Sequence, residues 1–532
     1  MHIPVAGSER DEPTMDQLVI SQVLLEASHK YPQQGIWYEN QFTSYANLLE
    51  RVLKLANSLQ EMGINQGTVV GILDANSQNF LELHYALAFV GAIMHPLNFR
   101  LSLNDLEYTI RQARDTWLFV GAEFLSLADT LKSLIPQQIA MPTQYDGLIR
   151  HGKPHFPRVT IHETDPFSIG FTTGTTGRPH GVLYRHRDLL LSSWQIVHHL
   201  ALQDTPARLG PDETLLPLIP FFHIHGWGIP FIAPYIGASL VLSPKLSPRD
   251  QVELIAQHHV TWANMVPTQL YRLLEVLSGP LDDPLKVLTG GSALTYGLAK
   301  KASHFHVEIS VIYGGTDQLA SAISSIPPHS VLSSPEREKI LSGRVMPLPM
   351  VEISLHDDQG QILDANGLNI GEIWIKSPWL PTEYVGDPQA SKQAFRDGYF
   401  ASGDLGILYP DGTLAIVDRL KDAIKSGGEW IAVNVLETIL SEIDGIDQVA
   451  ILTAPDPKWG ERPVAVIQTR QAIDPDMILD YLAHQVNAGR IPKFWIPDHI
   501  FYIKDMPLTS AGKIHKQNLA AKLDMLPQDP HN

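Results

Sequence analysis

Between Ser44 and Tyr313 the chain alternates two kinds of segment, and this alternation restricts its architecture more than any other feature. SYANLLERVLKLANSLQEMG, residues 44–63, carries apolar residues at three- and four-residue spacing and ends in glycine, which predicts an amphipathic helix. GTVVGILD, residues 67–74, predicts a short buried strand, and FLELHYALAFVGA, residues 80–92, a further helix. Strands separated by helices pair in parallel, and a parallel sheet needs cover on its faces. The expected class is therefore α/β, with a large layered αβ N-terminal domain. From Val351 the texture changes. VEISLHDDQGQI and GEIWIKSP alternate at period two around Gly-containing turns, which predicts a small antiparallel β-barrel or sheet. DGTLAIVDRLKDAIKSGGEW, residues 411–430, runs a strand into a charged turn, the expected domain boundary. We place the N-terminal domain at 1–420 and a smaller α+β C-terminal domain at 421–532.

Composition removes several functional classes. The formal net charge of −18, with Lys and Arg scattered, opposes binding to nucleic acid. The absence of cysteine removes disulfides, thiolate chemistry and Cys-based zinc sites, and it fits a cytoplasmic protein. The N-terminus is polar and acidic, unlike a signal peptide. The most apolar window, Trp227 to Leu242, is short for a membrane span and contains Pro230 and Pro234, so it reads as a buried helix and strand, with no integral membrane segment expected.

Several stretches carry chemistry. FTTGTTGRPHG, Phe171 to Gly181, supplies hydroxyls and bare amides suited to an anion, although such a loop taken alone is more often a tight turn. It is not the phosphate loop G-x-x-x-x-G-K-[ST], because no Lys-Ser or Lys-Thr follows the second glycine. YGGTD, Tyr313 to Asp317, follows the apolar strand VEISVI and offers an aromatic face, a hydroxyl and a carboxylate, or else an Asp-capped turn. TGGSAL, Thr289 to Leu294, ends another strand in the same way. In PFFHIHGWG, His223 and His225 lack a third ligand at metal-binding spacing, so buried, hydrogen-bonded histidines are expected. The histidine pairs at 198–199 and 258–259 are expected on helix surfaces. No G-x-S-x-G supports a serine hydrolase. Lys513 in PLTSAGKIHK sits behind a glycine, where a lysine is ordinarily just solvated.

The order of these stretches is more specific than any one of them. FTTGTTGRPHGV, PFFHIHGWG, TGGSAL, YGGTD, GRVMPLPMVE, YFASGD, DRLKDAIKSGGEWI and PLTSAGKIHK together resemble the adenylate-forming superfamily, from about Val19 to Lys516. PDPKWGERP and KFWIPD are similar to segments of its medium- and long-chain fatty-acyl-CoA synthetases. The resemblance implies an ATP- and Mg²⁺-dependent enzyme that converts a carboxylic acid to an acyl-adenylate. A C-terminal domain mobile about a hinge near Lys421 would then allow CoA to form the thioester. It also implies residue roles. Lys513 would bring positive charge to the carboxylate and α-phosphate. Thr172, Thr173, Gly174, Thr175, Thr176 and Gly177 would hold the pyrophosphate half. Thr316 would stand at the α-phosphate, with Thr172, Thr316 and Asp317 toward the metal. Tyr313 would stack on adenine, beside Gly291, Ser292 and Gly314, and Asp404 with Arg419 would take the ribose. Lys421, Lys425 and Trp430 match positions that contact the adenylate or form the thioester-stage site. His223 would flank the carboxylate, with Gly315 and Trp227 at the acyl channel.

Three departures qualify the match: His180 in place of lysine, Asp317 in place of glutamate, and IAVNVLE after Trp430, which lacks the usual serines and first glutamate. Histidine carries charge only when protonated. The replacement at His180 therefore predicts weaker ATP or pyrophosphate binding that improves as pH falls. Four readings remain: a fatty-acyl-CoA synthetase, a synthetase for a short thioether or aryl acid, an enzyme loading an acyl carrier protein, and a non-catalytic adenylate-binding protein. A homodimer is expected by analogy only.

Overall fold

The computed structural model describes residues 17–172, 178–244, 247–420, 423–469, 473–508 and 514–523. The alternation read from the sequence becomes two sheets with helices packed between and around them. In the larger, parallel pairing runs through Gly35–Tyr38, Ser239–Leu242, Thr214–Pro217, Trp262–Met265, Leu285–Gly290 and Val307–Gly315. Antiparallel strands Gln41–Ser44, Leu319–Ile323 and Met346–Pro347 close its two ends. The second sheet orders Gln137–Ala140, Trp117–Val120, Val69–Leu73, Ile93–Pro96 and Pro166–Phe171 in parallel, then adds Gly181–Arg185 antiparallel.

Local chemistry explains the helices. Ser44 caps Tyr45–Glu61 by accepting from the Asn47 amide, and Ser77 caps Gln78–Val90 by accepting from Phe80. The second of these helices is buried on almost every side, and Gly91 ends it at φ 71°, a left-handed position natural to glycine. Its Phe80, Leu81, Leu83, Leu87 and Val90 join the largest core cluster, which draws side chains from both sheets. The apolar stretch after Trp227 forms a buried helix, Ile229–Ile236, and a strand, Ser239–Leu242. Among the described residues no helix is long and apolar enough to cross a membrane.

The period-two region forms an antiparallel sheet of Glu352–His356, Gly371–Lys376, Tyr399–Leu408, Phe395–Arg396 and Leu414–Arg419. Beyond it, Ile424–Ser426, Glu429–Ile431, Ile446–Asp456, Gly460–Thr469 and His499–Ile503 build a last sheet in a small C-terminal domain. Helix Val433–Ser441 covers this sheet, and Leu405 and Val417 of the preceding sheet share its core. One expectation fails. His199 is not on a helix surface: it is buried and bonded to Ser325 Oγ at 3.1 Å, because its face of helix His186–Leu202 packs on strand Leu319–Ile323.

Candidate active site

A cavity of about 1040 Å³ lies where the strand ends of the larger sheet, the antiparallel sheet and the C-terminal domain meet. Thr172, Gly291, Ser292, Tyr313, Gly314, Gly315, Thr316, Asp317, Asp404, Arg419, His223 and Trp227 all line it. Thr173, Gly174, Thr175, Thr176, Gly177, Lys421 and Lys513 lie outside the described residues.

One end of the cavity is assembled from strands. Asp404 and Arg419 face each other in register, and the Arg419 Nε lies 2.7 Å from Asp404 Oδ1. The Tyr313 hydroxyl donates to Asp404 Oδ2 at 2.7 Å, and the Asp404 amide donates to Ser402 Oγ. Burial first, and the Asp404 charge second, push the Tyr313 phenol well above its ordinary value, so it remains a donor. Each carboxylate oxygen retains capacity for a second donor, such as a ribose hydroxyl. Close approach requires glycine here: a Cβ at Gly314 would stand 2.2 Å from the Leu319 carbonyl oxygen, and one at Gly290 would stand 2.5 Å from that of Ile312.

The adjoining wall centres on Thr316 and Asp317. The Tyr184 hydroxyl donates to the Thr316 carbonyl at 2.7 Å, fixing the backbone of the turn. Asp317 is buried enough that desolvation raises its carboxyl above the usual range, opposed by the Tyr384 hydroxyl and by the charges of Arg419 and His180. Its Oδ1 has no hydrogen-bond partner among the described residues. A buried carboxylate oxygen of this kind, on a cavity wall, suits a hard divalent cation. No cluster of three metal-ligating side chains occurs among the described residues. The fit is therefore to a cation shared with a bound ligand.

His180 closes the threonine-rich loop. Its carbonyl accepts from the Thr172 amide at 3.0 Å, and its own amide donates to Thr172 Oγ1 at 2.9 Å. Its ring stacks on Tyr384 at 4.7 Å, and Nδ1 lies 3.4 Å from Asp387 Oδ2. Neither Tyr384 nor Asp387 was foreseen. They sit some two hundred residues along the chain in EYVGD, where no spacing links them to the loop.

Another wall of the cavity is shaped by a strained turn. Ile224, His225, Gly226, Trp227 and Gly228 have φ of 46°, 50°, 60°, 60° and 79°, a run of left-handed backbone. Left-handed helical geometry costs roughly 1–2 kcal/mol per non-glycine residue, so the three here cost on the order of 3–6 kcal/mol. Buried polar groups hold the turn. Asn264 Nδ2 donates to the Gly226 carbonyl at 2.9 Å, while its Oδ1 accepts from the Leu218 and Ile219 amides. His225 Nδ1 lies 3.0 Å from His84 Nε2, and His84 Nδ1 lies 2.8 Å from the Phe80 carbonyl. A carbonyl only accepts, so His84 carries its proton on Nδ1 and His225 donates to His84. Burial lowers His84 to about 4 and His225 well below its ordinary value, keeping both neutral. His225 thus matches the expected buried, hydrogen-bonded histidine. His84 and Asn264 were missed, since a buried polar residue within a helix or strand carries no local sign of its distant partner.

The C-terminal domain presents helix Val433–Ser441, residues 447–450 and residues 514–517 to the cavity and keeps a hairpin away. Ile514, His515, Lys516 and Gln517 line it, with Lys516 Nζ 3.2 Å from Glu437 Oε1 and 3.6 Å from Asp418 Oδ2. Leu508 and Ile514 form an antiparallel bridge. Lys425 and Trp430 pair in a hairpin outside the cavity, where Lys425 Nζ lies 4.7 Å from the Trp430 ring centroid and 3.1 Å from Asp358.

Residues 24–385 match the family model of the AMP-binding enzyme, and residues 435–513 that of the AMP-binding enzyme C-terminal domain. The chain belongs to the AMP-binding enzyme family. It is 32% identical over 495 residues to a long-chain-fatty-acid–CoA ligase of Thermus thermophilus, covering 90% of this chain and 89% of that protein. It is 29% identical over 507 residues to a 3-methylmercaptopropionyl-CoA ligase of Ruegeria lacuscaerulensis, covering 90% and 91%. Among solved structures, the anthranilate CoA ligase AuaEII in complex with anthranoyl-AMP aligns with a TM-score of 0.83 at 22% identity, over 95% of this chain and 98% of that one. The fold of this AMP-binding enzyme is therefore that of the adenylate-forming superfamily, whose acyl-CoA synthetase branch its ordered motifs resemble.

Proposed function

We propose that this AMP-binding enzyme activates a medium- or long-chain fatty acid with ATP and passes the acyl group to CoA. The observation that supports this most is the continuity of one cavity from Tyr313, Asp404 and Arg419 to an arm lined by Leu189, Ile196, Ile219, Ile224 and Trp227. A nucleotide held at the first end places its α-phosphate toward Thr316, beside an acid whose tail enters the arm. The carboxylate oxygen attacks the α-phosphorus and pyrophosphate leaves. The thiolate of CoA then attacks the acyl carbon and AMP leaves.

Mg²⁺ bound with ATP would neutralise charge on the departing pyrophosphate, and Asp317, Thr316 and Thr172 would hold it. Asp404 and Arg419 would orient the ribose, Tyr313, Gly291, Ser292 and Gly314 would frame the base, and His223 and Gly315 would border the acid. Lys513 would supply the cation of the adenylating step. With residues 514–517 at the cavity and Lys425 and Trp430 away from it, the arrangement fits that step. A hinge near Lys421, between domains at 1–420 and 421–532, would exchange the two faces for thioester formation.

The test is a panel of carboxylic acids assayed for pyrophosphate exchange, and for AMP release with and without CoA. Fatty acids should support exchange, and CoA should accelerate AMP release. Exchange with thioether or aryl acids alone would move the substrate class. Transfer only to a carrier-protein phosphopantetheine would move the acceptor, and no exchange with any acid would sink the reading.

A further inference from the structure

The left-handed turn has two faces. His223, Ile224, Trp227 and Gly228 border the cavity, whereas His225 and Gly226 point into the core. A right-handed turn of the same sequence would rotate these side chains to different positions, so the cavity wall depends on whatever stabilises the left-handed form. The helix Gln78–Val90 supplies that support through His84, which does not border the cavity and whose polar link to the turn, among the described residues, is its bond to His225. Phe80, Phe221 and Phe231 surround the His84 ring at 5.1–5.8 Å between centroids, an apolar cage that fixes its orientation. Gly226 fits against Phe221, where a Cβ would come within 3.0 Å of the ring, and Gly228 against Ser193, where a Cβ would come within 2.3 Å of Oγ.

We infer that His84 is a positioning residue for acid selection, acting through His225 to hold the turn that places Trp227 and His223 on the acyl arm. The inference rests on the proposed function. It adds a determinant outside the substrate's reach, on a helix that contributes nothing to the cavity lining. The neutrality of both rings lets the bond form without a buried charge. A phenylalanine or leucine at position 84 would keep the cage filled and leave His225 Nδ1 without its acceptor. The turn would then sample other conformations while the nucleotide end stays intact.

The experiment measures KM for acid, KM for ATP and the preferred chain length by pyrophosphate exchange in the full chain. His84→Leu should raise KM for the preferred acid by about fivefold or more and change the preferred chain length, with KM for ATP changing by less than about twofold. His84→Gln, which restores an acceptor, should recover most of the loss. His84→Leu combined with His225→Leu should be no worse than either alone, as expected for two groups acting through one bond. Should His84→Leu not fold, His225→Asn replaces it, since asparagine accepts the left-handed backbone but is too short to reach His84. It should give the same acid-selective change. Equal rises in both KM values, additive single effects, or an unchanged acid KM in an active parent background would overturn the inference alone. A parent chain inert with every acid would overturn the functional reading and this inference with it.

Discussion

At the nucleotide end of the cavity, the residues that border it also hold one another: Tyr313 and Arg419 occupy the two oxygens of Asp404, and Tyr184 pins Thr316. At the acid end, the residues that border the cavity are held from behind by Asn264 and by His225 bonded to His84. The first end is built on the pairing of strands, which sets side chains opposite one another and includes a single left-handed non-glycine residue, Leu319. The second is built on a backbone run that L-residues avoid, stabilised by buried polar contacts from other elements. The difference implies that contact residues suffice to explain recognition of the nucleotide, whereas selection of the acid depends on a supporting layer.

The strongest challenge to that contrast is at Asp317. Asp317→Asn should reduce exchange kcat/KM by about 10²–10³-fold, the size expected on losing one electrostatic partner of the reacting phosphates. The same variant should make the ligand-free protein more stable. Burial raises the Asp317 carboxyl above its unfolded value, so its ionisation opposes folding once pH exceeds that unfolded value. The gain should be complete above the raised value and vanish as pH falls to the ordinary carboxylate range, read as the difference in Tm between variant and parent across pH. Loss of activity without the Tm gain would mean that Asp317 is already satisfied by protein contacts.

Gly228→Ala tests the other end. With φ at 79° and Ser193 Oγ in the way, the methyl group should distort the turn, raising KM for acid about tenfold while KM for ATP stays level. Equal effects on both constants would erase the distinction between the ends.

His180→Lys should give the smallest change, a fall of about two- to fivefold in KM for ATP, worth roughly 1 kcal/mol. His84 should contribute no pH dependence to KM for acid above about pH 5, because burial holds it near 4. No improvement with lysine would mean that the pairing with Asp387 and the stacking on Tyr384 already serve the loop.

Much of the fold was legible because it is periodic. The helix after Ser44, the strand at Val69–Leu73 and the antiparallel region after Val351 all follow from spacing and turn residues that act locally. The Asp404 and Tyr313 cluster was legible through the order of motifs, although not the bond between them. His199 was misplaced because a histidine pair on a helix says nothing of which face meets the sheet. Asp387 and His84 gave no signal, since each acts through one contact with a residue far along the chain.

By itself the sequence determined the layered α/β class, the change to antiparallel structure and the chemical types gathered for an adenylate-forming site. Those properties arise from periodicity and side-chain chemistry, which are carried by neighbours along the chain. Only the tertiary structure decided that PFFHIHGWG winds left-handed, that His84 and Asn264 support it, and that His180 faces Asp387. A strained turn persists when distant buried partners outweigh its local preference, and no local pattern records those partners.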